Sequence, residues 1–213
     1  MTHAANPILP ASGRDRGIAR RQAFLDAGRT VFLEHGYMAA SVNDVVRLAG
    51  GSLATLYAQF GSKEGLFLAV VQDQQQRMQR DLTLADVEHL PLEEGLTVIG
   101  EHSVQAMLAP ENLAFYRVVV SEARKFPELV QRILVSAAEQ FRTSLSGYLE
   151  RQSQAEGRPI ADPEGASQYF LTLLRTRHQF NALADPSYTL TDTQVKQHVR
   201  DTVAVFLHGV LPR

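Results

Sequence analysis

The sequence of 213 residues predicts an all-α protein with a small N-terminal module, residues 14–61, and a larger helical domain, residues 62–213. Apolar residues recur at intervals of three and four along most of the chain, and the strict alternation typical of half-buried strands does not compete with this pattern. Prolines and glycines interrupt it at spacings that fit single helices. The segments between these breaks predict about nine helices, three of them in the module.

The composition restricts the class of protein. Hydrophobic residues make up 45% and charged residues 21% of the chain, as in ordinary soluble globular proteins. The absence of cysteine excludes disulfides, a thiolate nucleophile and cysteine metal ligands. No apolar run has the length of a membrane span, and the N-terminus lacks the core of a signal peptide. We therefore expect a cytoplasmic protein without a membrane partner.

The charge is unevenly distributed. The formal net charge is −2, yet five arginines lie before residue 30: Arg14, Arg16, Arg20, Arg21 and Arg29. Local basic charge on an acidic chain is expected of a small nucleic-acid-binding module. Residues 1–13 contain two prolines and show no helical period, which predicts a mobile arm. This arm could be a plain disordered tail, or Arg14 and Arg16 could follow a phosphate backbone or enter a minor groove.

The module begins with a helix from about Arg16 to Glu34, which Gly36 ends. The apolar stripe of this helix includes Ile18 and predicts packing across two shorter helices. The predicted core of the module consists of Phe24, Val31, Phe32, Val45, Leu48, Leu56, Tyr57 and Phe60.

Two short helices joined by a glycine turn follow. Ser41 is a suitable N-cap for the first of them, whose valines share one face. Gly50 can adopt the left-handed conformation that ends a helix and turns the chain. Ser52 can cap the second helix, in which apolar residues recur at helical spacing up to Phe60. This is the pattern of a helix-turn-helix unit, whose second helix fits the major groove of DNA.

The run AGGSLATLYAQFGSKE at residues 49–64 resembles the DNA-reading signature of the TetR family of bacterial regulators, and the likeness covers about residues 20–70. It departs from the family pattern at Gly51, where Val or Ile is usual, at Leu53, where a polar or basic residue is common, and at Ala54, where Gly is frequent. A weaker resemblance, of residues 112–129 to the AefR-like or AcrR-like body domain, implies a pocket for a small-molecule effector.

The start of the second short helix is the predicted base-reading end, with Ser52, Leu53, Ala54 and Thr55. Thr55 could hydrogen-bond a base or a phosphate, and Leu53 or Ala54 could pack on thymine methyl groups. The alternative for Leu53 and Tyr57 is plain core packing, although for Tyr57 the two readings can coexist, since its ring can pack while its hydroxyl reaches out. Because residues 52–60 contain no Lys or Arg, direct guanine reading is not expected there. The resemblance implies phosphate contacts by Ser41, Tyr57, Gln59 and Lys63, and Arg16 and Arg47 complete the predicted DNA-binding set.

The larger domain begins with a helix from Ser62 to about Leu84, in which the polar run 72–76 is expected to be solvated. Prolines then mark helix starts near residues 91, 127 and 163, a further helix covers 111–126, and Thr191 or Asp192 caps the last one.

Aromatic and apolar residues of this domain suggest a pocket and a dimer interface, although an aromatic stripe is more often plain core. The predicted ligand-binding residues are Met107, Phe115, Tyr116, Phe141, Phe170, Leu174 and His178. Broad apolar stripes on the last two helices predict a four-helix interface in a homodimer. Its predicted residues are Phe170, Leu171, Leu174, Val195, Val199, Val203 and Phe206.

The leading hypothesis is a ligand-responsive transcriptional regulator, in particular a repressor, which binds a palindromic double-stranded DNA operator and needs no cofactor. The alternative is a helical small-molecule-binding or interaction protein that has lost DNA reading, as the departures at Gly51 and Leu53 would allow. The third hypothesis is an enzyme, but the sequence contains no recognisable set of catalytic residues. The histidines do not have the spacing of metal ligands, so no metal is assigned.

Overall fold

The computed structural model describes residues 13–78 and 84–209, and the predicted arm therefore lies almost wholly outside the described residues. These residues form nine α-helices and one 3₁₀ turn, with no strand among them. The helices are α1 Gly13–Ala39, α2 Val42–Ala49, α3 Leu53–Phe60, α4 Lys63–Met78, α5 Leu92–Leu108, α6 Pro110–Ser121, α7 Pro127–Ala155, α8 Pro163–Ala184 and α9 Asp192–His208. The predicted all-α class is confirmed.

Two details change the helix count. The backbone of α1 breaks at Gly36, where φ is 70° and ψ is 172°, so the segment is two helices joined at a residue without a Cβ. The predicted helix from Ser62 to about Leu84 is described as α4 only as far as Met78, and Leu84–Val87 is a 3₁₀ turn; residues 79–83 lie outside the described residues. With the break and the turn counted separately, the described residues contain eleven helical segments.

The chain folds as two compact units, residues 1–73 and 74–213. The predicted boundary at 61/62 therefore lies too early. Leu66, Phe67 and Val70 of α4 are buried in the first unit, and Val70 lies against Gly28 of α1, with 3.0 Å between its Cγ2 and the position of a glycine Cβ. The first half of α4 belongs to the first unit because its apolar face completes that core.

The predicted core of the first unit is confirmed for its aromatic centre and wrong at its edge. Phe24, Val31, Phe32, Val45 and Leu56 are buried, and Phe60 is partly buried. The exceptions, Leu48 and Tyr57, are exposed, and so is Ile18 of the apolar stripe of the first helix. Each of these residues lies on a helix that other helices cover on one side only. Helical spacing alone therefore does not predict whether the residue is buried.

The polar run 72–76 is not fully solvated. Asp73 is buried and accepts a hydrogen bond from the Gln22 side-chain amide of α1, with an N–O distance of 3.4 Å. The next residue, Gln74, is buried in the second unit and donates to Asn112 at 2.7 Å. Hydrogen bonds compensate these polar groups for the loss of water. A hydropathy pattern does not predict such partners, so it could not predict the burial of Asp73 and Gln74.

The five helices of the second unit begin where prolines and capping residues predict. Pro110, Pro127 and Pro163 occupy first helical positions. Helix α5 has no side-chain cap of its own. Instead, the Glu156 carboxylate at the end of α7 accepts a hydrogen bond from the Leu92 amide at 2.6 Å. One helix thus satisfies an orphan donor of another, which ties the two together.

Helix α5 lies at the centre of the second unit and comes close to its neighbours at two glycines. A Cβ at Gly95 would overlap the Tyr148 hydroxyl of α7, and one at Gly100 would lie 2.6 Å from a methyl group of Val199 in α9. Tyr148 and Val199 are fully buried in the core cluster formed by α5, α7, α8 and α9. The missing side chains of Gly95 and Gly100 therefore allow α7 and α9 to pack closely on α5.

Candidate nucleic-acid interface

The helix-turn-helix forms through two serine caps and one glycine turn, as the sequence predicts. The Ser41 hydroxyl accepts a hydrogen bond from the Asn43 amide at 3.2 Å. Gly50 ends α2 at φ 64°, a conformation that side chains disfavour. The Ser52 hydroxyl then accepts from the Thr55 amide at 3.1 Å and starts α3. These local bonds set the direction in which α3 leaves the turn.

Helix α3 is anchored by one side and exposed along the other. Leu56 is fully buried beneath it, whereas Leu53 is 38% and Tyr57 45% exposed. Ala54 and Gln59 are exposed as well, and Thr55 is partly buried. Of the predicted base-reading end, residues 52–55, the first three residues are exposed and Thr55 is only partly so. Tyr57 is partly covered and partly exposed, so plain core packing alone does not describe it.

Two of the three cationic residues of the predicted interface, Arg47 and Lys63, have intramolecular partners. Arg47 is exposed and pairs with Asp44 at 3.0 Å. A surface pair of this kind contributes little stability, so a phosphate could replace the carboxylate. Lys63 is held more firmly, since its ammonium donates to the Met38 carbonyl at 3.0 Å and lies 4.9 Å from the centre of the Tyr37 ring. Arg16 is exposed on the first turns of α1.

Sequence reasoning missed two features of this surface. Arg20 of α1 donates to the Ala49 carbonyl at the end of α2, with an N–O distance of 3.3 Å. Asn43, beside the cap of α2, is exposed. The position of Asn43, a polar residue in the first turn of α2, could have indicated that its side chain is exposed. No sequence signal marks the Arg20 contact, because it joins residues 29 positions apart.

Gly51 has a packing role in the turn. A Cβ at this position would lie 2.9 Å from the tip of the Phe24 ring, which is fully buried in α1. The glycine therefore lets Phe24 reach the turn between α2 and α3. This accounts for the departure from the Val or Ile of the family pattern, because a branched side chain would displace the ring.

The predicted ligand-binding residues of the second unit do not form one group. Phe170 and Leu174 are fully buried in the core cluster, and Phe141 packs at its edge. Met107 and Phe115 are buried outside that cluster, while Tyr116 is partly buried.

His178, the remaining predicted ligand residue, lies in a small polar cluster. Its Nδ1 is 2.6 Å from the Tyr188 hydroxyl, and its ring meets the edge of His198 at a centroid distance of 4.4 Å. Burial lowers the pKa of His178, and the neighbouring His198 and Arg177 lower it further. Within the described ranges, no three His, Asp or Glu side chains are placed to hold a metal ion.

The predicted dimer residues are mostly buried within a single chain. Six of the seven are at most 7% exposed within a single chain, because α8 and α9 bury them against α5 and α7. Phe206 also packs partly buried on this core. A side chain that is already excluded from solvent has no area to lose at an interface. The exposed apolar residues of α8 are others: Tyr169 at 69%, Leu173 at 41% and Phe180 at 66%.

A capped helix that projects beyond a glycine turn from a small unit, followed by a larger helical unit, defines a helix-turn-helix transcriptional regulator. Among residues 13–78 and 84–209, no helix combines the length and the apolarity that crossing a membrane requires.

Comparison with known proteins identifies the family. Residues 24–70 match the family model described as bacterial regulatory proteins, tetR family, and residues 94–209 match the AefR-like transcriptional repressor, C-terminal domain. The second match alone covers more than half of the chain, and the chain belongs to the TetR family of bacterial transcriptional regulators. Both resemblances drawn from the sequence are thereby confirmed.

Individual relatives agree with this assignment. The HTH-type transcriptional regulator BetI of Rhizobium meliloti is 28% identical over 183 residues, which are 85% of this chain and 90% of the relative. The flavonoid-responsive regulator FrrA superposes with a TM-score of 0.76 at 28% identity, over 95% of this chain and all of the other. A TetR-family regulator from Mesorhizobium loti shares the fold, with a TM-score of 0.77 at 22% identity over 90% of this chain and 96% of the other.

Proposed function

We propose that this TetR-family protein is a repressor that binds a palindromic operator as a homodimer in the cytoplasm and leaves it when a small molecule binds the second unit. The observation that carries the proposal is the exposed N-terminal half of α3 on a unit whose core holds the other side of that helix. An anchored helix with an exposed end can enter a major groove without unfolding its own module.

Each DNA contact in this proposal follows from exposure and chemistry. Residues 52–55 would face base edges. The Tyr57 hydroxyl and the Gln59 amide are exposed donors, which could bond phosphate oxygens and fix the register of α3 on the duplex. Ser41, Lys63, Arg47 and Arg16 would extend the phosphate contacts. Because α3 itself has no cation, most of the salt-dependent affinity would come from these flanking residues.

The exposed apolar face of α8 supports the homodimer. Tyr169, Leu173 and Phe180 follow one another at spacings of four and seven, which places them on one side of the helix. Large apolar side chains in a row on a surface helix are typical of an interface. We propose that this face pairs with its copy across a two-fold axis, in place of the buried residues that the sequence suggested.

The effector would bind in the second unit and favour a dimer whose two α3 helices no longer match one duplex. Met107, Phe115, Tyr116 and His178 remain the proposed contacts. One similar structure is a flavonoid-responsive regulator. Flavonoids are therefore the first class of compound to test as effectors of this protein.

Fluorescence anisotropy with the DNA upstream of its own gene tests the proposal. We expect preference over random duplex and a log–log salt slope of about −5 or steeper, as for a dimer that neutralises roughly six phosphates. A flat salt response or equal binding of random duplex would contradict DNA regulation. Tight small-molecule binding without duplex binding at low salt would instead favour the interaction protein.

A further inference from the structure

The polar groups at the start of α3 are occupied by the helix cap. The Ser52 hydroxyl accepts from the Thr55 amide at 3.1 Å and lies 2.8 Å from the Thr55 hydroxyl. The two hydroxyls share one hydrogen bond, which leaves a single hydroxyl proton for the pair, and Thr55 is partly buried. Drawing the Ser52 oxygen away from the Thr55 amide to read a base would disturb the cap, which contributes about 1 kcal/mol to helix stability.

The atoms that α3 offers to a groove are then mostly apolar. Leu53, Ala54 and Ala58 are exposed along the helix, and no Lys, Arg, Asp or Glu occurs between residues 53 and 60. The exposed polar tips, Tyr57 and Gln59, lie beyond the first turn. The first turn of α3 can thus contribute little hydrogen-bonding readout, and it presents a branched aliphatic side chain in its place.

In the major groove, an apolar surface of this kind has a favourable partner at one base. Guanine, cytosine and adenine present hydrogen-bonding groups there, whereas thymine adds a C5-methyl group. We propose that Leu53, with Ala54 beside it, recognises the thymine methyl, so that each operator half-site carries a thymine opposite the start of α3. This inference rests on the proposed function. It assigns specificity at the start of α3 to apolar contact.

The chain provides a matched control. Leu48 is another exposed leucine, at the end of α2 and outside α3. The variants Leu53→Ser and Leu48→Ser make the same chemical change on the surface of the same unit. Neither removes a core side chain, so both variants should fold, which circular dichroism and thermal unfolding would verify.

The experiment uses full-length protein and duplexes that it selects from a random-sequence pool. Each thymine of the enriched half-site is replaced in turn by deoxyuridine, which removes only the methyl group. Burial of one methyl is worth a factor of about four in affinity. We expect this loss at one or two positions for the unmodified protein. It should disappear with Leu53→Ser and persist with Leu48→Ser. At the same position, 5-methylcytosine should bind better than cytosine, because it restores the methyl.

The outcomes separate the two proposals. If no sequence is enriched from the pool, the proposed function fails. If a sequence is enriched but deoxyuridine changes nothing at any position, DNA regulation stands and methyl recognition is overturned. Methyl recognition is also overturned if Leu53→Ser keeps the full preference for thymine over deoxyuridine.

Discussion

At the scale of single residues, Gly51 shows how one missing side chain shapes the DNA-binding unit. We expect Gly51→Ala to lower the free energy of unfolding by about 1–3 kcal/mol, because its Cβ would press on the buried Phe24 ring. The matched control is Gly17→Ala in α1, where a Cβ meets nothing within 4 Å. Urea unfolding followed by circular dichroism compares the two. Equal stability of both variants would contradict the packing role.

Tyr148 gives a prediction at alkaline pH. Its hydroxyl is buried and has no hydrogen-bond partner among the described residues. Burial, together with the charges of Glu88 and Glu156, raises the pKa of Tyr148 to about 12. Because the unfolded phenol has a pKa of about 10, the folded protein holds the proton more tightly, so stability falls as the pH rises through about 10 to 12.

The variant Tyr148→Phe removes this titrating group. We expect it to lose less stability than the unmodified protein between about pH 9 and 11, and to cost little at neutral pH, since the hydroxyl makes no bond. Tyr169→Phe, at an exposed tyrosine, is the control and should follow the unmodified protein. Urea unfolding as a function of pH measures both. Parallel curves for Tyr148→Phe and the unmodified protein would refute the assignment.

At the scale of elements, the last helix illustrates how a local cap fixes a boundary. The Gln194 amide donates to the Thr191 hydroxyl at 3.3 Å, and the Thr191 amide donates to the Gln194 side chain at 2.8 Å. Thr191→Ala breaks this capping box and should cost about 1 kcal/mol. Thr97→Ala, inside α5, should change stability by less than about 0.5 kcal/mol. Thermal unfolding distinguishes the two, and equal losses would count against the cap.

Tyr57 tests α3 as an element that binds DNA. Removing its exposed hydroxyl in Tyr57→Phe should weaken operator and random duplex about equally, by roughly fivefold, because a phosphate contact carries no sequence information. Stability should not change. Anisotropy with both duplexes measures the effect, and a loss confined to the operator would show base reading by Tyr57 instead.

At the scale of the whole molecule, assembly depends on which apolar residues remain outside the core. Phe180→Glu on α8 should convert the proposed homodimer to monomer, because it introduces a charge into an apolar contact. Val98→Glu changes an exposed apolar residue of α5 and is the control. Analytical ultracentrifugation reports the mass of each. A dimeric Phe180→Glu protein would rule out this face as the interface.

Several elements could be predicted because their causes are local. Ser41, Gly50, Ser52 and Thr191 act within a few residues of their own position, so the caps and the turn follow from the sequence. The resemblance at residues 49–64 located α3 because the matching residues are contiguous and include its cap and the turn before it. The apolar stripes likewise identified the buried centres of both units.

The sequence by itself determined the helices, most of their starts and the position of α3 in the chain, because caps, turns and apolar spacing act over one or two turns. Only the tertiary structure decided which apolar residues remain exposed and where the units divide. Leu48 and Tyr57 lie outside the core, and Val199 and Val203 lie inside it, although all four fit an apolar stripe. Helical spacing fixes the direction of a stripe, whereas burial depends on how many neighbouring helices cover it.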